Sequence, residues 1–168
     1  AAAFSLLVST FQPLVFRLAF RLLCDEDEAK DMVQETFVKV WLALGKYNGE
    51  CRFSTWIYKI TCNTCYDRLR SLYHSPLDNE ADYSVSVNIS SDDNVELAVV
   101  NKQLRELILR YTDELSPRQR LIFTLRDIEE LDVPEVQTIT GLSAGIIKTT
   151  LYLARKNIRN KMNQIDAG

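Results

Sequence analysis

The sequence predicts an all-α protein of two small helical domains joined by an acidic linker, and three observations carry that prediction. The 168 residues include five Gly and four Pro, with long stretches of Leu, Ala, Arg, Glu and Lys, a composition suited to helices. Apolar residues recur at spacings of three and four through several segments on both sides of the chain's middle. Residues 75–95 instead hold five Ser and five acids, no base and no sustained helical period. That stretch reads as a linker between a domain over 1–74 and another over 96–168.

The elements follow in order. Phe4–Leu23 has helical spacing, with Pro13 either kinking the helix or marking its true start. Asp25, with Glu28 three residues later, caps a second helix, and Gly45 is expected to stop it after Leu44. A loop over 46–52 leads to a third helix from about Ser54 to Tyr73. Within the linker, Tyr83, Val85, Val87 and Ile89 alternate as in a strand, but no partner strand is evident. Beyond it, helices are expected at Val95–Tyr111, at Pro117–Glu130 with Pro in the first turn, at Pro134–Thr140 and at Ala144–Lys161. Gly141-Leu142-Ser143 joins the last two as a short turn ending in a Ser cap.

Composition excludes several classes. No run of 18 apolar residues occurs, and the first base, Arg17, lies behind an apolar start without a charged leader, so neither a membrane span nor a signal peptide is expected. Four Cys are then expected to be reduced thiols in a cytoplasm. One His, His74 at a helix end, and no Gly-rich phosphate loop or clustered carboxylate pair argue against an enzyme, a metal site or a bound cofactor. The net charge of −3 conceals local basic clusters: residues 51–74 hold four bases against one acid, and residues 141–168 hold five against one. Phosphate contacts depend on such clusters, so two separate patches for a polyanion remain open.

Three helix faces carry the functional reading. On the second helix Ala29, Val33, Thr36, Phe37, Val40 and Leu44 form the core stripe, while Asp31, Gln34, Glu35, Val38 and Leu42 fall opposite with Trp41 at the flank. Large apolar side chains among acids suit a protein partner, although single exposed apolar residues also occur without function. On the third helix Trp56, Lys59, Asn63, Tyr66 and Arg70 line one face, with Ile57, Ile60, Thr64 and Leu69 available to pack inward. Rings that stack on bases beside cations that meet phosphates suit a nucleic-acid strand, and a solvated helix with a core aromatic is the plainer alternative. The last two helices match a helix-turn-helix. Ile147, Leu151, Ala154 and Ile158 form the inner stripe of its second helix, and Lys148, Tyr152, Arg155 and Arg159 form a cationic outer face.

These residues resemble the bacterial sigma factors, specifically the small extracytoplasmic-function group of the sigma-70 family. Asp25-Glu-Asp-Glu-Ala-Lys-Asp-Met-Val-Gln-Glu-Thr-Phe-Val-Lys-Val-Trp41 is similar to the helix of the family's region two, followed in the expected place by residues 53–70. Leu115-Ser-Pro-Arg-Gln-Arg-Leu-Ile-Phe-Thr-Leu-Arg126 and the helix-turn-helix are similar to region four. The resemblance implies a transcription initiation factor that binds core RNA polymerase through its beta-prime and beta subunits and directs it to promoter DNA. Asp31, Gln34, Glu35, Val38, Trp41 and Leu42 would meet the beta-prime coiled coil. Phe53, Trp56, Lys59, Asn63, Tyr66 and Arg70, with the loop before them, would engage the opened minus-ten element. Ser143, Lys148, Thr149, Tyr152, Arg155 and Arg159 would read the minus-thirty-five duplex. The acidic linker would run toward the polymerase's nucleic-acid channel, and an anti-sigma factor would hold the protein inactive.

The chain departs from the pattern at Gln137, where a small Ala is usual, and at Thr140, where Leu is usual, so looser packing of the two helices is expected. Thr150, Tyr152 and Leu153 stand where the family commonly has cationic groups that would touch phosphates, which lowers the expected salt-dependent affinity for DNA. Two rival readings stand beside the sigma factor. One is a free-standing helix-turn-helix regulator; the other is a thiol or zinc sensor built on Cys62 and Cys65, for which a second close ligand pair is missing.

Overall fold

A computed structural model describes residues 2–73, 102–103, 106–107, 110–112 and 115–168. Among them every regular element is helical: α1 (Ala2–Leu23), α2 (Glu26–Ala43), α3 (Phe53–Tyr73), α4 (Pro117–Phe123), α5 (Val133–Thr140) and α6 (Ala144–Ala167). The expected linker 75–95, its alternating stretch, His74 and most of the expected helix 95–111 lie outside the described residues; 102–103, 106–107 and 110–112 are helical.

α1 runs unbroken through Pro13 from Ala2, earlier than its periodicity predicts. By length and composition alone it would pass as a membrane-crossing helix, a test that core helices also pass. Here it is a packing helix instead: Val15, Leu18, Ala19 and Leu22 are sealed against α2 and α3. α1 closes at Cys24, whose φ of 54° turns the chain, and the Asp25 carboxylate at once accepts the Glu28 amide at 2.9 Å to start α2. Gly45 does not stop α2 as a left-handed cap. The helix ends at Ala43 and tightens into a single 3₁₀ turn over Leu44–Lys46, and the left-handed glycine comes later, at Gly49.

α1, α2 and α3 share one core, with Val15, Val33, Phe37, Val40 and Ile57 forming one cluster. Met32, which the wheel reading omits, is buried beside Ala29 in a second cluster. That second cluster is continuous with the C-terminal half: Leu18, Leu22, Cys62, Cys65 and Leu69 pack together with Ile122, Leu125, Val136 and Ile139. α3 is therefore a wall common to both halves, lined by α1 and α2 on one side and by α4 and α5 on another.

The C-terminal half begins with a capping box, in which Ser116 and Gln119 satisfy each other's backbone amides and Pro117 opens the helix. The expected helix 117–130 changes pitch after Phe123: Thr124–Ile128 form a π-turn, the Glu129 amide bonds to the Thr124 carbonyl at 2.8 Å, and Glu130 turns the chain at φ 57°. The Gln137 and Thr140 departures do not loosen the next pair. Val136, Ile139, Ile147 and Ala154 are fully or almost fully buried, and the Thr140 hydroxyl donates to the Val136 carbonyl and accepts the Leu142 amide.

Leu18→Ala, which opens a cavity at the point where both halves meet, is expected to cost about 2–5 kcal/mol of stability. Leu6→Ala, on a side chain 69% exposed on the same helix, is expected to change stability by less than about 0.5 kcal/mol. Urea unfolding of the two variants checks the contrast.

Candidate functional site

The polarity of α2 is set by what it buries. Ala29, Met32, Val33, Thr36, Phe37 and Val40 all turn inward, so the opposite positions have no choice but water. Asp31, Gln34 and Glu35 are exposed, and Val38, Trp41 and Leu42 are 59%, 55% and 73% exposed on the same side. Phe4 of α1 stands edge-on to the Trp41 ring at 4.8 Å. Phe4 was not singled out by the sequence, because its ring meets Trp41 only across two helices. The patch is rimmed by acids, with Lys39 drawn onto Glu35 at 3.1 Å and onto the Thr64 hydroxyl at 3.2 Å.

The face of α3 divides in two. Phe53 and Trp56, expected to meet DNA, are half-buried in an aromatic knot with Tyr47, with ring centroids 5.2–5.4 Å apart. Tyr47 is a member the sequence reading passed over; its hydroxyl donates to the Cys51 carbonyl at 2.6 Å and ties the preceding loop to the knot. Lys59, Asn63 and Arg70 are exposed. Tyr66 between them is half-buried against the shared core, with the Arg70 guanidinium 5.7 Å above its ring. The structure thus brings a cation–amide–ring–cation row to the surface and sets two further rings behind the helix start.

In the helix-turn-helix, Gly141 adopts φ 74°, which closes α5, and the Ser143 hydroxyl accepts the Ile146 amide to start α6. Lys148, Thr149, Tyr152 and Arg159 are exposed on α6, Tyr152 by 65%. Arg155 is exposed as well, but its guanidinium donates two bonds, 2.6 and 2.8 Å, to Asp127 of the π-turn, and those bonds raise its pKa further. Ile146 and Leu153, which were not anticipated, border a shallow apolar groove with Arg118, Gly145 and Thr149. Exposed apolar residues at the ends of a polar stripe leave no periodic signal.

Cys62 and Cys65 point into the core at 1% and 0% exposure. Burial pushes the Cys65 thiol up to about 12 and the Cys62 thiol well above its ordinary range, so both are neutral packing groups near pH 7. Among the described residues no three His, Cys, Asp or Glu side chains gather as metal ligands.

Helices throughout the described residues, an exposed apolar face, a base-and-aromatic row and a helix-turn-helix are the parts of a transcription initiation factor. The "Sigma-70 region 2" family matches residues 7–74, and "Sigma-70, region 4" matches residues 105–158. The ECF RNA polymerase sigma-E factors of Salmonella typhimurium (strain LT2) and Escherichia coli (strain K12) are each 30% identical over 97% of this chain and 88% of theirs. The RNA polymerase sigma-H factor of Pseudomonas aeruginosa is 28% identical over 93% of this chain and 84% of its own. Two solved structures share the fold. CnrH in complex with the cytosolic domain of CnrY has a TM-score of 0.68 at 20% identity, over 97% of this chain and 89% of that one. RpoE in complex with the anti-sigma factor NepR from Bartonella quintana has a TM-score of 0.66 at 22% identity, over 97% and 98%. The protein belongs to the extracytoplasmic-function group of sigma-70 factors, and its function is that of an RNA polymerase sigma factor.

The α2 face is held against α3 by Glu28, which accepts two bonds from Arg68 at 2.6 and 2.7 Å. Those bonds hold the Glu28 carboxyl below its usual range against the opposing effect of burial. A depressed carboxylate stabilises the fold above its unfolded pKa and loses that contribution as pH falls through the folded value. For a pair this exposed the contribution is about 0.5–1 kcal/mol. Glu28→Gln is therefore expected to be less stable than the parent at pH 7 and equal to it near pH 3, as read by urea unfolding at the two pH values.

Proposed function

We propose that the outward face of α2 docks on core RNA polymerase at the beta-prime coiled coil, with Val38, Trp41 and Leu42 as the apolar centre and Asp31, Gln34 and Glu35 around them. One observation carries this reading: three large apolar side chains stand 55–73% exposed together on a helix whose other side is fully committed to the core. Removing each from water on binding is worth roughly 1.5–3 kcal/mol before the costs of association. Phe4, edge-on to Trp41, widens the same surface.

The proposed minus-ten surface is the row Lys59, Asn63, Tyr66 and Arg70, with Phe53 and Trp56 behind it. Strand opening exposes bases, and rings flanked by an amide and cations supply stacking and phosphate contacts. The proposed minus-thirty-five surface lies on α6, from Ser143 through Lys148, Thr149 and Tyr152 to Arg155 and Arg159, with the first turns nearest the base edges. Because Asp127 holds Arg155, that guanidinium enters such a contact already oriented and partly neutralised. The proposed domain division is 1–74, 75–95 and 96–168, with the acidic middle segment running between the two DNA contacts.

Sigma factors are non-enzymatic regulators of initiation; here the chemistry is assigned to the polymerase, with no cofactor or metal for this chain. Cytoplasmic action follows from that partner. The two solved neighbours are complexes, one of them with an anti-sigma factor, which supports a regulator of that kind for this protein. Val38→Ala with Leu42→Ala is expected to weaken core binding roughly 10- to 100-fold without loss of helix content. A fluorescence titration against core polymerase checks it, and an affinity equal to the parent's would remove α2 from the interface.

A further inference from the structure

The outer side of α6 changes chemistry along its length. Over residues 144–153 the exposed side chains are Ile146, Lys148, Thr149, Tyr152 and Leu153, with the bare backbone of Gly145 beside them. That stretch holds one cation, no carboxylate and no side-chain amide, while Ile146, Tyr152 and Leu153 are 41–65% exposed. Thr150 is buried, so its departure from the family's pattern does not bear on this face. The other cations come further along the helix: Arg155, Lys156 and Arg159 are exposed, and Arg155 already donates from Nε and Nη2 to Asp127.

Ile146, Thr149 and Leu153, spaced by three and four residues, form a strip along a shallow groove that Gly145 and Arg118 of α4 also line. Lys148, Arg155 and Arg159 form a separate stripe on the other flank of that strip. An apolar floor therefore runs between two cationic rims. A major groove offers the complementary pattern, with phosphates along both edges and base edges at the bottom. Arginines and side-chain amides read guanine and adenine there by paired hydrogen bonds, and this floor has neither. The apolar group that base pairs present in the major groove is the C5 methyl of thymine. Gly145 is an independent sign of close approach. Glycine weakens a helix, and a Cβ at this position would meet nothing within 4 Å, so nothing among the described residues calls for it. A bare backbone at the groove instead suits an occupant that comes close from outside.

We propose that Ile146, Thr149 and Leu153, with the Tyr152 ring beside them, read thymine methyl groups, so that the upstream promoter element this protein selects is dominated by A·T pairs beneath the first turns of α6. This inference rests on the minus-thirty-five surface proposed above and names the kind of sequence that surface takes. Lys148 is the one cation of the floor suited to a guanine edge. Affinity and selectivity then come from different residues. Arg118, Lys156 and Arg159 meet the phosphates of any sequence, whereas apolar contact with a methyl group tells thymine from the other bases.

Selection from a randomised duplex pool, by holoenzyme assembled from core polymerase and the full chain, identifies the sequence, and deoxyuridine probes then test the contacts. The upstream enriched block is expected to consist mainly of A·T pairs. Replacing a contacted thymine there by deoxyuridine removes only the methyl group and is expected to weaken holoenzyme binding about fourfold. The double variant Ile146→Ala with Leu153→Ala changes exposed side chains, and far-UV circular dichroism confirms that its helix content is kept. In it the same replacement is expected to change affinity by less than about twofold, because the partner of the methyl is gone. An upstream block of G·C pairs, or equal binding of thymine and deoxyuridine probes by the parent, overturns the methyl reading and leaves the α6 surface standing. A loss in the double variant that is equal on every duplex assigns the groove to a protein partner and also overturns it. Enrichment of no upstream block refutes the α6 surface itself, and this inference with it.

Discussion

Everything functional in this protein depends on α1, α2 and α3 sharing a single core. α2 commits Ala29, Met32, Val33, Thr36, Phe37 and Val40 to that core, and a helix has only two sides. Val38, Trp41 and Leu42 are consequently displayed to solvent at a cost that folding itself does not recover. Glu28 and Arg68 tie α2 to α3 beside this display. An exposed apolar centre inside an acidic rim is what the proposed docking face needs.

α3 has a second duty. The side of it not taken by α1 and α2 is covered by α4 and α5, and Cys62, Cys65 and Leu69 lie in the resulting cluster. The C-x-x-C pair is explained by this position: two small, polarizable, neutral side chains where helices approach closely. Polar groups at the rim of the same junction converge on Glu129. Burial alone would favour its protonated form, but the bonds from Arg17 and Tyr58 and the charges of both arginines hold its pKa below the usual range. The same environment pushes the Tyr58 hydroxyl up to about 12.

Much of the fold was legible because helical period, caps and turns act locally. Asp25, Ser116, Ser143 and Gly141 all cap or close helices as short-range chemistry requires. The α2 face was legible for the same reason: one helix wheel separates its stripes. What was hidden depends on contacts distant in sequence. Tyr47, Phe53 and Trp56 form a knot that no spacing announces, and Asp127 reaches Arg155 only because the chain changes pitch at Thr124. Gly45 misled because a 3₁₀ turn, which needs no left-handed residue, ended α2. The contact between halves was equally invisible, since each half reads as a complete domain until Glu129 is placed beside Arg17 and Arg21.

The central claim is that α2 presents the polymerase-binding face, and site-specific photo-crosslinking tests it most directly. A photo-reactive residue in place of Leu42, with one in place of Lys30 as an exposed control on the same helix, is irradiated in the assembled holoenzyme. The account predicts a strong crosslink from position 42 to the beta-prime subunit and a weaker one from position 30. A transcriptionally active holoenzyme that crosslinks from neither position, or from position 30 alone, would contradict it.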